Sequence, residues 1–276
     1  MARLYDAQGN LMIWEANAEA LTSINVEYGR HEGASYYLVR IPQYTTGGKK
    51  ITPKVAMTSA DGSLEGNKVS ALEFAKREHA IFTINGGVFN INTTYLHPHG
   101  QTIVDGVSVT NELNPDSFSS PISNAECYPL CIDADGNLSS PYAQGVDTAD
   151  MIADGVVHAV TGWGQLIDNY SATDESKYNE IVHADKLIPC QVIGQYQNGD
   201  YCVLTVDGVR GSVQNESGLT DKQARDLLIA KGVKFAYLLD GGGSTETVIG
   251  NRQINPIYTG NSGRAIPTVI YFDTNE

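Results

Sequence analysis

The stretch Phe235-Ala236-Tyr237-Leu238-Leu239-Asp240-Gly241-Gly242-Gly243-Ser244-Thr245 decides how this 276-residue chain is read. Its apolar, aromatic opening predicts a buried strand that delivers a carboxylate at its end. Three glycines then let the backbone approach a ligand without interference from a Cβ. Successive N–H groups in such a turn form a nest for an anion, with the Ser244 and Thr245 hydroxyls as further donors. Two readings stand here, a ligand loop or a tight turn between strands, although three consecutive glycines exceed what a turn needs. A nucleotide P-loop is excluded because the GxxxxGK[ST] lysine is missing. Glu246 holds the place of the third glycine of Gly-x-Gly-x-x-Gly, which excludes a dinucleotide fingerprint. Ser244 is no nucleophile elbow either, since the closing glycine is absent.

Working outward, Thr220-Asp221-Lys222-Gln223 matches a capping box, and Ala224, Leu227 and Leu228 follow as an i, i+3, i+4 stripe. Gly232 stands where a helix C′ glycine belongs. The same unit occurs earlier: a helix over about Ser70 to Glu78, a strand over Ile81–Ile84, then Asn85-Gly86-Gly87. Two helix–strand–glycine-turn units predict glycine-rich loops converging at one sheet edge. Other strands are expected at Tyr36–Ile41, Tyr201–Val206 and Thr268–Phe272. Asp-Gly pairs at Asp61, Asp105, Asp135, Asp154 and Asp207 predict hairpin turns. Their irregular spacing excludes a solenoid or propeller. The expected fold is α+β: a mixed, mostly antiparallel sheet core with few helices. Residues 1–25 read as an N-terminal extension, with a strand over Leu11–Trp14 and a helix over Glu15–Leu21, and residues 26–276 as one domain. Residues 107–150, rich in Asn, Ser, Pro and Asp, read as long loops.

The net charge of −14 argues against a polyanionic partner, because nucleic-acid binding needs clustered Lys and Arg. Lys49-Lys50 and Lys76-Arg77 are the only adjacent basic pairs. Asp6, Gln8 and Asn10 interrupt the N-terminus, so no signal-peptide core of about 7–15 apolar residues forms. No run reaches the ~20 apolar residues of a membrane helix. The expectation is a soluble protein, cytoplasmic or virion-associated. Four cysteines (Cys127, Cys131, Cys190, Cys202) are too few for a disulfide scaffold and lack the paired spacing of a zinc site. Buried or free thiols are expected.

Three further segments are candidates for chemistry. Asn85 either caps its own turn or offers its amide to a sugar hydroxyl or phosphate oxygen. In Val206-Asp207-Gly208-Val209-Arg210-Gly211, Asp207-Gly208 reads as a hairpin turn beside an exposed Arg210, whose guanidinium fork also suits a phosphate. In His97-Pro98-His99 the proline splays the two rings, so His99 reads as a substrate contact or loop residue and not as half of a metal pair.

Taken in order, Asn85-Gly86-Gly87-Val88-Phe89, Val206-Asp207-Gly208, Ser217-Gly218-Leu219-Thr220 and Leu239-Asp240-Gly241-Gly242-Gly243-Ser244-Thr245 resemble the phosphodiester glycosidase domain family. Gly263-Arg264-Ala265-Ile266-Pro267 fits the same pattern, and the likeness runs from about Tyr36 to Phe272. The resemblance implies a bacterial or phage relative that hydrolyses a sugar-1-phosphodiester and releases the free sugar. It implies catalytic roles for Asp240 and Asp207. Substrate contacts would come from Asn85, Gly86, Gly87, His99, Arg210, Gly241, Gly242, Gly243, Ser244, Thr245 and Arg264. There are departures. The family commonly shows Arg-Thr-Ala-Ile-Gly in its middle strand, where this chain has Cys190-Gln191-Val192-Ile193-Gly194. Glu246 stands where relatives usually place an apolar residue.

The leaving group of a sugar–O–phosphate bond is a phosphate ester, so strong general-acid help is less necessary than in ordinary glycosidases. What remains is a carboxylate near the anomeric carbon and donors for the departing phosphate. The lost arginine favours an alternative, a non-catalytic carbohydrate-binding or structural module of a phage or cell-surface assembly. No cofactor is defined; clustered aspartates would suit a divalent cation, Ca or Mg, without a specified ligand set.

Overall fold

The computed structural model describes residues 18–113, 128–143, 145–174, 185–208, 218–256 and 263–274. Four short helices occur among them: α1 (Ala18–Ser23), α2 (Ala71–Glu78), α3 (Thr148–Ala153) and α4 (Asp221–Ala230). The strands form three sheets. The first has the order β1 (Asn25–His31), β2 (Ala34–Ile41), β13 (Tyr201–Val206), β12 (Cys190–Gln195), β14 (Phe235–Leu238), β10 (Gly164–Asp168), β11 (Ser171–Ala172). The second runs β16 (Arg252–Gln253), β15 (Thr247–Ile249), β4 (Phe82–Asn85), β17 (Thr268–Thr274), β3 (Ile51–Met57). The third runs β6 (Val107–Asn111), β5 (Gln101–Val104), β9 (Val156–Thr161), β7 (Pro129–Asp133), β8 (Leu138–Ser139). Every strand pair is antiparallel. The fold is α+β, with few helices.

Strand alternation sorts the side chains into layers. One face of the first sheet, with Leu38, Val192, Leu204 and Leu238, packs under Ala224, Leu227 and Leu228 of α4. Its other face, with Val39, Ile193, Val203 and Tyr237, meets Phe82, Ile84, Ile270 and Phe272 of the second sheet. Phe74 and Ala75 of α2 cover the far face of that sheet at Val248 and Val269. The result is a helix–sheet–sheet–helix sandwich, and Leu130, Ile132 and Val160 of the third sheet join its central core. Each such fully buried side chain contributes roughly 1.5–3 kcal/mol.

The helices end where their local chemistry says they should. Ser70 caps α2 and forms a capping box with Glu73, and Thr220 does the same for α4 with Gln223. Gly232, at φ +75°, follows α4, a backbone state that glycine adopts without penalty.

Several expectations need correction. Residues 107–150 are not simply loops, since they contain β6, β7, β8 and the first half of α3. Polar composition hid β6, an exposed edge strand, and β8 is only two residues long, whereas β7 is a short buried strand set within a polar stretch. Asp105-Gly106 and Asp135-Gly136 do close the β5–β6 and β7–β8 hairpins, whereas Asp154-Gly155 terminates α3 and Asp61-Gly62 lies in the loop after β3. At the N-terminus, Ala20 and Leu21 of α1 are buried in the central core, and Leu11–Trp14 lies outside the described residues. Cys131, Cys190 and Cys202 are buried free thiols. Among the described residues no helix is long and apolar enough to cross a membrane.

Candidate active site

The turns after β4 and β14 come together at one end of the sandwich. They leave two different sheets, not one sheet edge. The Asn85 side chain joins them. Its Nδ2 donates to the Asp240 carbonyl at 2.7 Å, and its Oδ1 accepts from the Glu246 N–H at 3.2 Å. The Asp240 N–H in turn donates to the Gly86 carbonyl at 3.2 Å. Asn85 is 1% exposed, and both ends of its amide are occupied by backbone. Gly86 and Gly87 carry the turn past the start of β17, donating to the carbonyl and hydroxyl of Thr268. The next residue, Val88, donates to Thr161 at the end of β9, so all three sheets meet here.

Asp240 follows the buried β14 and is itself half-buried. Burial pushes its carboxyl up to about 6. Two donors and a charge oppose that shift: the Ser244 hydroxyl, the Gly241 N–H at 2.9 Å, and the more distant Arg264 guanidinium. Arg264 Nη1 donates to Ser244 Oγ at 3.3 Å, which gives a relay from guanidinium to hydroxyl to carboxylate. Gly243 makes room for it: a Cβ there would stand 2.4 Å from Arg264 Nη2. Gly242 adopts φ +59°, the left-handed state in which an L side chain is strained.

The expected anion nest is mostly consumed by the protein itself. Gly241 donates to Asp240 Oδ1, Gly242 to the Pro189 carbonyl, Ser244 to Gly241, and Thr245 to Gly242. The turn is one tight 3-10 turn over Gly242–Ser244, so its carbonyls take the N–H groups that a phosphate would need. Thr245 is also turned away from solvent, with a buried Oγ1 that has no partner among the described residues. The cationic Arg264, and not the loop amides, supplies the positive flank of Asp240.

Asp207 follows β13 and is buried, with its N–H on the Ser35 carbonyl at 2.9 Å. β12 lies between β13 and β14, which sets the two aspartates' strands about 10 Å apart by ordinary strand spacing. Arg210 lies outside the described residues. His99 is 4% exposed, sits 3.5 Å from Glu112, and reaches the Asn85 turn through its N–H on the Val88 carbonyl. Among the described residues, no three His, Cys, Asp or Glu side chains come together to hold a metal.

The phosphodiester glycosidase family model matches residues 78–273. The chain belongs to this family. A structural relative is the zebrafish N-acetylglucosamine-1-phosphodiester alpha-N-acetylglucosaminidase catalytic domain, auto-inhibited by its pro-peptide. It shares 19% identity at a TM-score of 0.66, covering 92% of this chain and 82% of that one. A hypothetical protein from Synechocystis gives a TM-score of 0.65 at 13% identity, covering 92% of this chain and 62% of that one. In sequence, the SPbeta prophage-derived uncharacterized protein YomE of Bacillus subtilis (strain 168) is 25% identical over 246 residues, 86% of this chain. The chain spans 36% of that relative's length.

Two buried carboxylates of the chain escaped the sequence reading as site neighbours. Glu246 is 3% exposed, and its carboxylate accepts from the N–H groups of Ala71 at 3.0 Å and Leu72 at 3.3 Å. It caps α2, although burial still pushes its carboxyl upward. Asp221 is fully buried at the first position of α4, and neither carboxylate oxygen has a partner among the described residues. Burial, with a smaller contribution from Asp185, raises it to about 7. The capping box marked Asp221 as an acidic first-turn residue, which is normally exposed; here it is packed among Trp163, Ile188, Cys190 and Leu238.

Proposed function

We propose that this chain hydrolyses a sugar-1-phosphodiester. The C1–O bond to phosphate breaks, water supplies the new oxygen on C1, and the phosphate monoester departs with the bonding electrons. The observation that carries this reading is the relay Arg264–Ser244–Asp240, which sets a carboxylate beside a guanidinium at the mouth of a sheet sandwich. Positive charge developing at C1 is stabilised by the Asp240 carboxylate, while Arg264 receives the charge gathering on the phosphate. Asp240 acts as base toward water, as nucleophile, or as oxocarbenium partner, and Asp207 is the second carboxyl. Asn85 positions the Asp240 turn and does not bind sugar. The Asp240→Asn variant tests this. Its folding should stay near normal, because the amide oxygen still accepts the Gly241 N–H, while sugar release from a methyl phosphodiester of glucose or N-acetylglucosamine should fall at least about a hundredfold. Retained hydrolysis would remove Asp240 from the mechanism.

Cys190 supports a second reading. It is buried at the position where the family resemblance expects an arginine, and the prophage relative fits a phage assembly. A carbohydrate-binding module without turnover would bind the same diesters and release no sugar.

A further inference from the structure

Beside the Asp240 turn lies a small pocket walled by Trp163, Ile188, Cys190, Leu238 and Gly241, with Asp221 as its charged residue. Its cavity volume is ≈ 10 Å³, the room of one non-hydrogen atom. The walls are apolar apart from the Cys190 thiol, which burial keeps protonated. Asp221 is 0% exposed, and both of its oxygens lack a hydrogen-bond partner among the described residues. An uncompensated buried carboxyl is costly. Its helix does not need it as a cap, because Thr220 already accepts from the Gln223 N–H. The fold thus carries the desolvation of a carboxylate that nothing among the described residues pairs with.

The charges around Asp240 are polarised. Arg264 stands on the Gly243–Ser244 side, and Asp221 adjoins the Gly241 side. A phosphate is drawn to the first and repelled by the second, so the sugar ring faces the pocket. Because the pocket is walled by the residues on either side of Asp240, the ring substituent nearest to it is the one next to the reacting carbon. From this placement we infer that Asp221 is a subsite for a protonated amine at C2 of the sugar. The substrate class is therefore a 2-amino-2-deoxy-sugar 1-phosphodiester with its nitrogen unsubstituted. An ammonium is one heavy atom in size and supplies the missing donors as well as the missing charge. An N-acetyl group adds three more heavy atoms and does not fit. A hydroxyl fits, but leaves the carboxylate's charge unbalanced.

This inference rests on the phosphodiester reading, and the experiment separates the two. Methyl phosphodiesters of glucosamine, glucose and N-acetylglucosamine are titrated into the full chain at about pH 7 by calorimetry, and sugar release is followed in parallel. The glucosamine diester should bind at least about tenfold more tightly than the other two, a difference of about 1.4 kcal/mol. In Asp221→Asn that preference should vanish; Asp221→Ser serves if the asparagine variant does not fold. Equal binding of the three, preference for the glucose or N-acetyl compound, or a preference that survives the substitution would overturn the subsite and leave the phosphodiester reading standing. Binding of none would overturn both.

Discussion

Replacing Asn85 with alanine should weaken the whole fold, not merely the site. The substitution removes the bond from Nδ2 to the Asp240 carbonyl at 2.7 Å and the bond to Oδ1 from the Glu246 N–H at 3.2 Å. The Glu246 N–H is buried and loses its acceptor outright, at about 1–3 kcal/mol. The Asp240 carbonyl is only partly buried, so water recovers some of its loss and its share falls near the lower end of that range. The sum is about 2–4 kcal/mol, a large fraction of the roughly 5–15 kcal/mol by which domains of this kind are stable. Urea unfolding of Asn85→Ala should therefore show a lower midpoint with an unchanged slope, and sugar release should fall with the loss of the Asp240 turn. Asn85→Asp should be no milder, because an oxygen then faces the Asp240 carbonyl. A loss under about 1 kcal/mol accompanied by abolished turnover would refute the reasoning and make Asn85 a substrate contact.

Asp221 should make stability fall as pH rises. Its folded value of about 7 exceeds the unfolded value near 3.8, so the unfolded chain releases its proton first. The loss begins near pH 4 and is complete above pH 7, at up to about 4 kcal/mol. Melting temperatures between pH 5 and 8 should show this slope, and Asp221→Asn should flatten it; a slope that persists would assign it to another group. In Gly243→Ala the new Cβ displaces Arg264, whose half-exposed side chain can move. Folding should change by less than about 1 kcal/mol, while KM for the diester rises roughly tenfold; an unchanged KM would remove Arg264 from phosphate binding. Reductant should leave the melting temperature in place, because Cys131, Cys190 and Cys202 are unpaired. A marked drop would point to a bond through Cys127.

What was legible in the sequence was local. Capping boxes at Ser70 and Thr220, the C′ glycine at 232, and the strand leading to Asp240 all depend on residues within one or two turns of each other, and each lies where its spacing put it. What was hidden depends on partners far along the chain. β17 pairs with β3 and β4, and nothing local to Ile81–Asn85 says that its sheet differs from that of Phe235–Leu238. The polar strands of the third sheet read as loops because edge strands need little apolar alternation. The site divides in the same way. Asp240 announced itself as a carboxylate after an apolar run. The inward aim of the Asn85 amide, the spent amides of the glycine turn and the burial of Asp221 all follow from packing between elements.

Glu246 binds the site to α2. Its N–H is held by Asn85 while its carboxylate holds the first two N–H groups of α2. The glycine turn therefore has no hinge of its own on this side. Opening it means uncapping a helix that is docked on the far face of the second sheet. Amide exchange at Ala71, Leu72 and Glu246 should then occur in a single cooperative event, at one common rate under conditions where opening is limiting. A change at Asn85 or at the start of α2 is therefore felt at Glu246, whose N–H the one accepts and whose carboxylate the other donates to.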